Sequence, residues 1–261
     1  MGRAQRQPSP NAVPLAAGVH VPLRAAEIPQ ASEALPDQHD QDKAGPSKQV
    51  AVSETVHEPI YQPPNEKIAP KHLQWMAKRL FDLSFGAASL VAGAPLLAVI
   101  AVAIKFDSQG PVFYRQTRVG KGGKTFKVFK FRSMYTDAEK NGPQWARNFD
   151  ARVTRVGGLL RRTSLDELPQ IFNILAGDMS WIGPRPERPV FVARFRQQFE
   201  NYDLRHTVRP GLSGWAQVNG LRGNVSIAQR TVYDLHYVRN FSLAMDLKIF
   251  LRTFAAVVAG E

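Results

Sequence analysis

The sequence predicts an α+β protein associated with a membrane: a re-entrant helix, then a mainly helical domain that carries a β-hairpin. Three observations predict it. Residues 83–104 run for 22 positions without a charge. Beyond them, two aromatic and β-branched runs flank Lys121-Gly-Gly-Lys124. Most of the chain after that hairpin has helical patterning cut by proline and glycine. With 261 residues, 44% of them apolar, there is material for one or two ordinary domains and a sizeable core.

Residues 1–72 read as a disordered, proline-rich leader. Residues 1–70 hold 11 of the 19 prolines, and six Lys/Arg against eight Asp/Glu. Such a stretch buries too little apolar area to offset its ordering entropy. No cleavable signal peptide is expected, because residues 1–9 lead into polar, proline-rich sequence and not an apolar core. The rest of the chain holds 28 Lys/Arg against 14 Asp/Glu, so the whole positive excess lies there. A basic surface suits nucleic acid, anionic lipid or an anionic substrate. The absence of cysteine excludes a disulfide scaffold, a cysteine nucleophile and an iron–sulfur site.

Residues 73–107 read as the membrane helix. The apolar run is long enough for a bilayer and lacks the polar stripe of a globular core helix. Pro95, near its middle, removes a backbone hydrogen bond. Lys71, Lys78 and Arg79 precede the run, and Lys105, Arg115, Arg118 and Lys121 come after it. Positive flanks stay cytoplasmic, so both ends favour the same side. A helix broken at residues 93–95 that returns by the face it entered satisfies both facts. A kinked span is the alternative.

Residues 108–261 form the second region. Residues 112–119 and 125–134 are predicted as hairpin strands around a Gly-Gly turn, with a bulge where Phe126, Val128, Phe129 and Phe131 break alternation. Seven basic residues and no acid lie from Arg115 to Arg132. Residues 136–160 read as helical or irregular. Residues 165–175 read as a short helix stopped by Gly177, 183–189 as a rigid loop and 190–202 as a polar helix. A Gly-rich loop comes next at 206–223, then a helix at 226–238 and an amphipathic helix at 243–258.

Common chemical motifs fail. Gly123-Lys-Thr125 lacks the earlier glycine of a phosphate-binding loop, and His206 and His236 have no metal-ligand spacing. What remains is the stretch 160–186. Ser164-Leu-Asp-Glu167 matches a capping box, and Pro169 favours a helix start nearer Asp166. Either register puts Asp166 and Glu167 at a helix N-terminus, where the dipole keeps carboxylates ionised and favours a phosphate. Taken alone, the two acids need only cap the helix. Arg161 and Arg162 lie just before them, however, and prolines on both sides hold Arg185 extended. A carboxylate pair, fixed arginines and a basic hairpin suit a diphosphate. Mg²⁺ typically binds through one or two carboxylates plus substrate phosphates, and an aspartate can serve as a nucleophile.

These residues resemble the bacterial sugar transferase family: monotopic polyprenyl-phosphate sugar-1-phosphate transferases of the exopolysaccharide-initiating type. The resemblance covers about residues 75–261. It rests on Lys78-Arg-Leu-Phe-Asp82, Lys127-Val-Phe-Lys-Phe-Arg-Ser-Met134, Ser164-Leu-Asp-Glu-Leu-Pro-Gln170, Gly177-Asp-Met-Ser180, Gly183-Pro-Arg-Pro186 and the run from Arg209 to Gly220. It implies a re-entrant helix, although the family's Ser-Pro pair stands here as Ala94-Pro95. It implies that Asp166 attacks the β-phosphate of a UDP-sugar, expels UMP and carries the sugar phosphate until undecaprenyl phosphate takes it. It implies Mg²⁺ at Asp166, a role for Glu167 in activating the acceptor phosphate, and phosphate contacts from Arg161, Arg185 and Lys130. A hexose is the expected sugar, and the cytoplasmic face of the inner membrane the expected place.

Arg205, Arg209, Gln217, Asn219 and Arg222 lie on the Gly-rich loop and are read as shaping the nucleotide-sugar pocket. Structural glycines and surface arginines are the bland alternative. Nucleic acid is not an expected partner; further copies of the chain or polysaccharide-assembly proteins are. The rival reading is a membrane-anchored, non-catalytic scaffold that binds lipid, or nucleic acid through the hairpin aromatics.

Overall fold

The structure, a computed structural model, describes residues 72–140, 150–223 and 225–259. The leader expected over 1–72 lies outside this set apart from His72. Helix α1, His72–Asp107, is 36 residues long and has Pro95 inside it. By length and composition it could cross a membrane. The break expected at residues 93–95 is corrected: helix is continuous there. Proline deletes one backbone bond, and the Ala, Leu, Val and Ile around it keep the rest of the ladder.

Both arms of α1 hold to the same folded domain. At the first arm, Lys78 Nζ donates to Asp246 Oδ2 at 2.7 Å. Arg79 donates to the carbonyls of Ile174 and Leu175 at 2.6 and 3.0 Å. Asp82, buried, accepts from the Ser180 hydroxyl at 3.0 Å and the Trp181 N–H at 3.1 Å. At the second arm, Ile100 and Ile104 pack with Phe131 and Leu160, and Asp107 accepts from the Val156 N–H. Between the arms α1 stays uncovered: Val91 is 78% exposed and Val99 65%.

Strands β1, Phe113–Val119, and β2, Thr125–Phe131, form the expected hairpin. All seven pairs from Phe113↔Phe131 to Val119↔Thr125 run in step, so the expected bulge is absent. The alternation breaks because both faces of β2 are partly covered, not because the ladder slips. Gly122 and Gly123 take positive φ in the connecting 3₁₀ turn, which is where glycine is needed. Asn173 welds β2 to the helix beneath it. Its Oδ1 accepts from the Phe129 N–H at 2.9 Å and its Nδ2 donates to the Lys127 carbonyl at 2.8 Å.

Helix α2, Arg155–Arg162, is capped by Thr154, whose side chain accepts from the Gly157 N–H. A 3₁₀ turn, Leu165–Glu167, leads into α3, Gln170–Ala176, which ends at Gly177 in the left-handed conformation. The single helix expected over 165–175 is therefore two pieces, with Pro169 as the cap between them. Next comes a short parallel pair that the patterning did not predict: β3, Ser180–Ile182, against β4, Gly211–Ser213. A Cβ on Gly211 would stand 2.1 Å from the Gly183 nitrogen, so the backbones meet there only because glycine has none. Helix α4, Pro189–Gln198, is shorter than expected and is succeeded by a 3₁₀ turn, Tyr202–His206. Short α5, Trp215–Val218, interrupts the Gly-rich loop. Helices α6, Ile227–Arg239, and α7, Leu243–Ala259, close the domain over a core of Ile182, Trp215, Tyr237 and Phe241.

Candidate active site

Asp166 and Glu167 occupy the 3₁₀ turn before α3. The capping box does not form. Ser164 stands in the left-handed region at φ 57 and makes no side-chain cap. Glu167 is drawn elsewhere, to cations from β2 and from the Pro-flanked loop. Lys130 Nζ donates to its Oε1 at 2.6 Å, and Arg185 grips both oxygens, with Nη1 on Oε2 at 3.2 Å. The hairpin register and the Asn173 weld set where Lys130 stands; the prolines at 184 and 186 set Arg185.

Asp166 is the contrast. It is 9% exposed, yet its carboxylate accepts no hydrogen bond among the described residues, and Lys130 Nζ stands 4.0 Å away. The environments push the two acids apart. Burial raises Asp166 above the ordinary aspartate value, with Glu167 adding to the rise and Lys130 and Arg161 opposing it. Burial also acts to raise Glu167, but Arg185 and Lys130 outweigh it and hold that carboxyl well below the usual carboxylate range. Neighbouring acids with values driven apart are the pattern of divided chemical labour.

Beside the pair lies a pocket lined by Arg118, Val128, Lys130, Gln170, Arg185 and Pro186. Arg118 and Gln170 were not among the predicted site residues. Strand alternation carried a signal for Arg118: it shares the hairpin face of Val128 and Lys130. Gln170 opens α3 directly after the acids.

The five Gly-rich-loop residues are placed elsewhere. Arg205 is buried and bonded to Tyr202, Asp234 and the Arg185 carbonyl. Arg209 donates to the Gly177 carbonyl, at the end of α3 away from the acids. Gln217 donates to the Leu212 carbonyl, and Asn219 closes α5 by donating to the Trp215 carbonyl. Arg222 makes no hydrogen bond or ion pair among the described residues, and none of the five lines the pocket. Arg161 ends α2, and its charge acts on Asp166 from a distance without an ion pair. No group of three or more histidine, cysteine or carboxylate side chains converges on one point among the described residues. Mg²⁺ here would therefore lean on one carboxylate plus substrate oxygens, which Asp166, accepting no hydrogen bond, fits.

The profile of the bacterial sugar transferase family matches residues 73–260. The UDP-N-acetylgalactosamine-undecaprenyl-phosphate N-acetylgalactosaminephosphotransferase of Aeromonas hydrophila is 43% identical over 197 residues, covering 74% of this chain and 46% of its own. A UDP-glucose:undecaprenyl-phosphate glucose-1-phosphate transferase of Caulobacter vibrioides is 42% identical over 190 residues, 71% of each chain. The exopolysaccharide production protein PSS of Rhizobium leguminosarum bv. phaseoli is 44% identical over 184 residues, 67% of this chain and 92% of its own. The chain spans less than half the length of several curated relatives, 46% of one and 35% of another.

Proposed function

The chain belongs to the bacterial sugar transferase family, and from that premise we propose that it transfers a sugar 1-phosphate from a UDP-sugar to undecaprenyl phosphate, releasing UMP. The observation that carries the reading is the Asp166 carboxylate, which accepts no hydrogen bond among the described residues and has Lys130 only at 4.0 Å, beside a Glu167 that is fully engaged by Lys130 and Arg185. An Asp166 oxygen attacks the β-phosphorus. The bond from that phosphorus to the bridging oxygen breaks, and the electron pair leaves on UMP. The sugar-phosphoryl aspartate is then attacked at the same phosphorus by an oxygen of undecaprenyl phosphate. That step frees Asp166 and forms the lipid diphospho-sugar.

Arg185, Lys130 and Arg118 supply fixed positive charge for the five-coordinate phosphoryl group. Arg161 adds to that field from the end of α2. Asp166 would hold Mg²⁺ together with diphosphate oxygens, and the ion would neutralise charge on the leaving UMP. With its carboxyl held low by Arg185 and Lys130, Glu167 is a poor base for the acceptor. Its role is to anchor the two cations. A hexose is the proposed sugar. Relatives are named for glucose and for N-acetylgalactosamine, so the test spans both classes. Purified protein in lipid with undecaprenyl phosphate and Mg²⁺ is to be offered UDP-glucose, UDP-galactose, UDP-N-acetylglucosamine and UDP-N-acetylgalactosamine. UMP release that requires the lipid for sustained turnover is the expected result. No UMP from any donor would sink the reading.

We propose that the site lies on the cytoplasmic face of the inner membrane, with α1 bent at Pro95, its helical bonding otherwise unbroken, so that it enters and leaves by that face. A straight helix of 36 residues would reach about 54 Å. Both of its arms instead bond to one domain, and one polar domain cannot sit on two sides of a bilayer. The chain contains no cysteine, so single thiols report cleanly. His72→Cys and Gln109→Cys are expected to react with an impermeant maleimide in inverted vesicles and not in intact spheroplasts. Opposite labelling of the two positions would mean a span.

A further inference from the structure

The loop that carries Arg185 is held at four consecutive carbonyls. Pro184 O accepts from the Gly211 N–H at 3.0 Å, and Glu187 O from the Val119 N–H at 2.9 Å. Between them, Arg185 O accepts from Arg205 Nη2 at 2.8 Å and Pro186 O from Arg118 Nη1 at 3.1 Å. Prolines at 184 and 186 also fix φ on either side of Arg185. Two of the four donors are backbone groups, and two are guanidinium groups. Arg118 touches the pocket as well; Arg205, 3% exposed, does not.

Arg205 is itself braced. Its Nη2 also donates to Asp234 Oδ2 at 2.6 Å, its Nη1 donates to the Tyr202 hydroxyl, and its guanidinium lies 5.0 Å from the centre of the Tyr202 ring. Asp234 is 2% exposed on α6. One turn earlier on α6, Arg230 donates to Glu187 Oε1 at 2.8 Å. Helix α6 thus reaches the loop twice, once through Arg230 and once through Asp234 and Arg205.

We propose that Arg205, seated on Asp234, is a positioning residue for Arg185: it fixes the backbone from which Arg185 reaches Glu167 and, in the proposed transfer reaction, the substrate phosphate. The inference rests on that reaction only for its kinetic consequence. Stability alone does not account for the arrangement. A buried ion pair is commonly matched or bettered by an apolar pair of the same volume. An apolar pair has nothing to donate to the Arg185 carbonyl. Lysine could face Asp234, but it lacks the planar fork that meets a carboxylate, a hydroxyl and a carbonyl together.

The test pairs Arg205→Lys with Arg185→Lys in a double-mutant cycle on UMP release. Arg205→Lys is expected to lower kcat/KM about tenfold in the parent and less than about twofold in the Arg185→Lys background. A structural defect would instead multiply through both. Equal losses in the two backgrounds, or none in either, would overturn the proposal. Nitrogen-15-labelled arginine gives a readout that needs no turnover. The Arg185 Nη–H signals, bonded to both Glu167 oxygens, should exchange slowly in the parent and lose that protection in Arg205→Lys. Retained protection overturns the proposal even where activity falls. A parent that releases no UMP while the signal behaves as expected defeats the reaction and leaves the positioning intact. Should Arg205→Lys not fold, Arg205→Met with Asp234→Leu removes both charges of that pair, leaves the Arg230–Glu187 pair in place and serves in the same cycle.

Discussion

Asp166→Asn is expected to lower UMP release by at least about a thousandfold while the fold and membrane association persist. The amide keeps the size of the side chain and loses the anionic oxygen proposed to attack phosphorus. Its effect on stability has the opposite sign to most active-site changes. Burial raises the Asp166 carboxyl, so ionising it costs more in the folded protein than in the unfolded chain. At pH 7 the ionised side chain therefore weakens folding, and that penalty disappears below an aspartate's ordinary value of about 4. The neutral amide should melt no lower than the parent at pH 7, with any gain fading in acid. The same rise places the acid limb of kcat/KM for the free enzyme above that of an ordinary aspartate. Mass spectrometry after exposure to UDP-sugar alone should find a sugar-phosphoryl adduct on Asp166 in the parent and none in the variant. Retained turnover in Asp166→Asn would remove the nucleophile.

The parts of this protein that announced themselves in sequence are those with one dominant local signal. The uncharged run of α1 needs no tertiary context, and neither does the hairpin, with its positive-φ glycines between β-branched strands. The acids stood out in sequence because arginines and prolines crowd around them. Their geometry was not. The capping pattern at Ser164 competes with two cations that arrive from sequence positions 130 and 185, and the cations win Glu167. Parallel β3 and β4 were hidden because three residues each carry no period; close approach at Gly183 and Gly211 makes them. Arg205 shows the limit most plainly. Its neighbours in sequence suggest a substrate loop, but its partners are Asp234 on α6 and a carbonyl 20 residues upstream. Only the fold shows that this arginine bonds to the backbone of another arginine.

Glu167→Gln separates anchoring from capping. In the parent, one carboxylate, 16% exposed, neutralises Lys130 and Arg185 together. An amide keeps one acceptor and turns an N–H toward a cation. Removing one partner of a buried pair costs about 3–5 kcal/mol, and partial exposure of Lys130 and Arg185, 21% and 33%, argues for about 2–3. Glu167 has a depressed folded value, so its contribution is fully present above the ordinary glutamate value of about 4.3 and declines as pH falls toward the depressed one. Parent and variant should differ most in melting temperature at pH 7 and converge from about pH 4 downward. A helix cap lost to glutamine would leave a smaller gap, about 1 kcal/mol. The freed Lys130, already 4.0 Å from Asp166, is then expected to turn to that carboxylate. That shift, with loss of the repulsion from Glu167, lowers the Asp166 value and moves the acid limb of kcat/KM down. The rate on the plateau should still fall about a hundredfold, because a carboxylate tied to lysine attacks poorly and Arg185 has lost its anchor. A variant with the parent's rate and the parent's pH profile would reduce Glu167 to a bystander and leave Asp166 to be oriented by some other group.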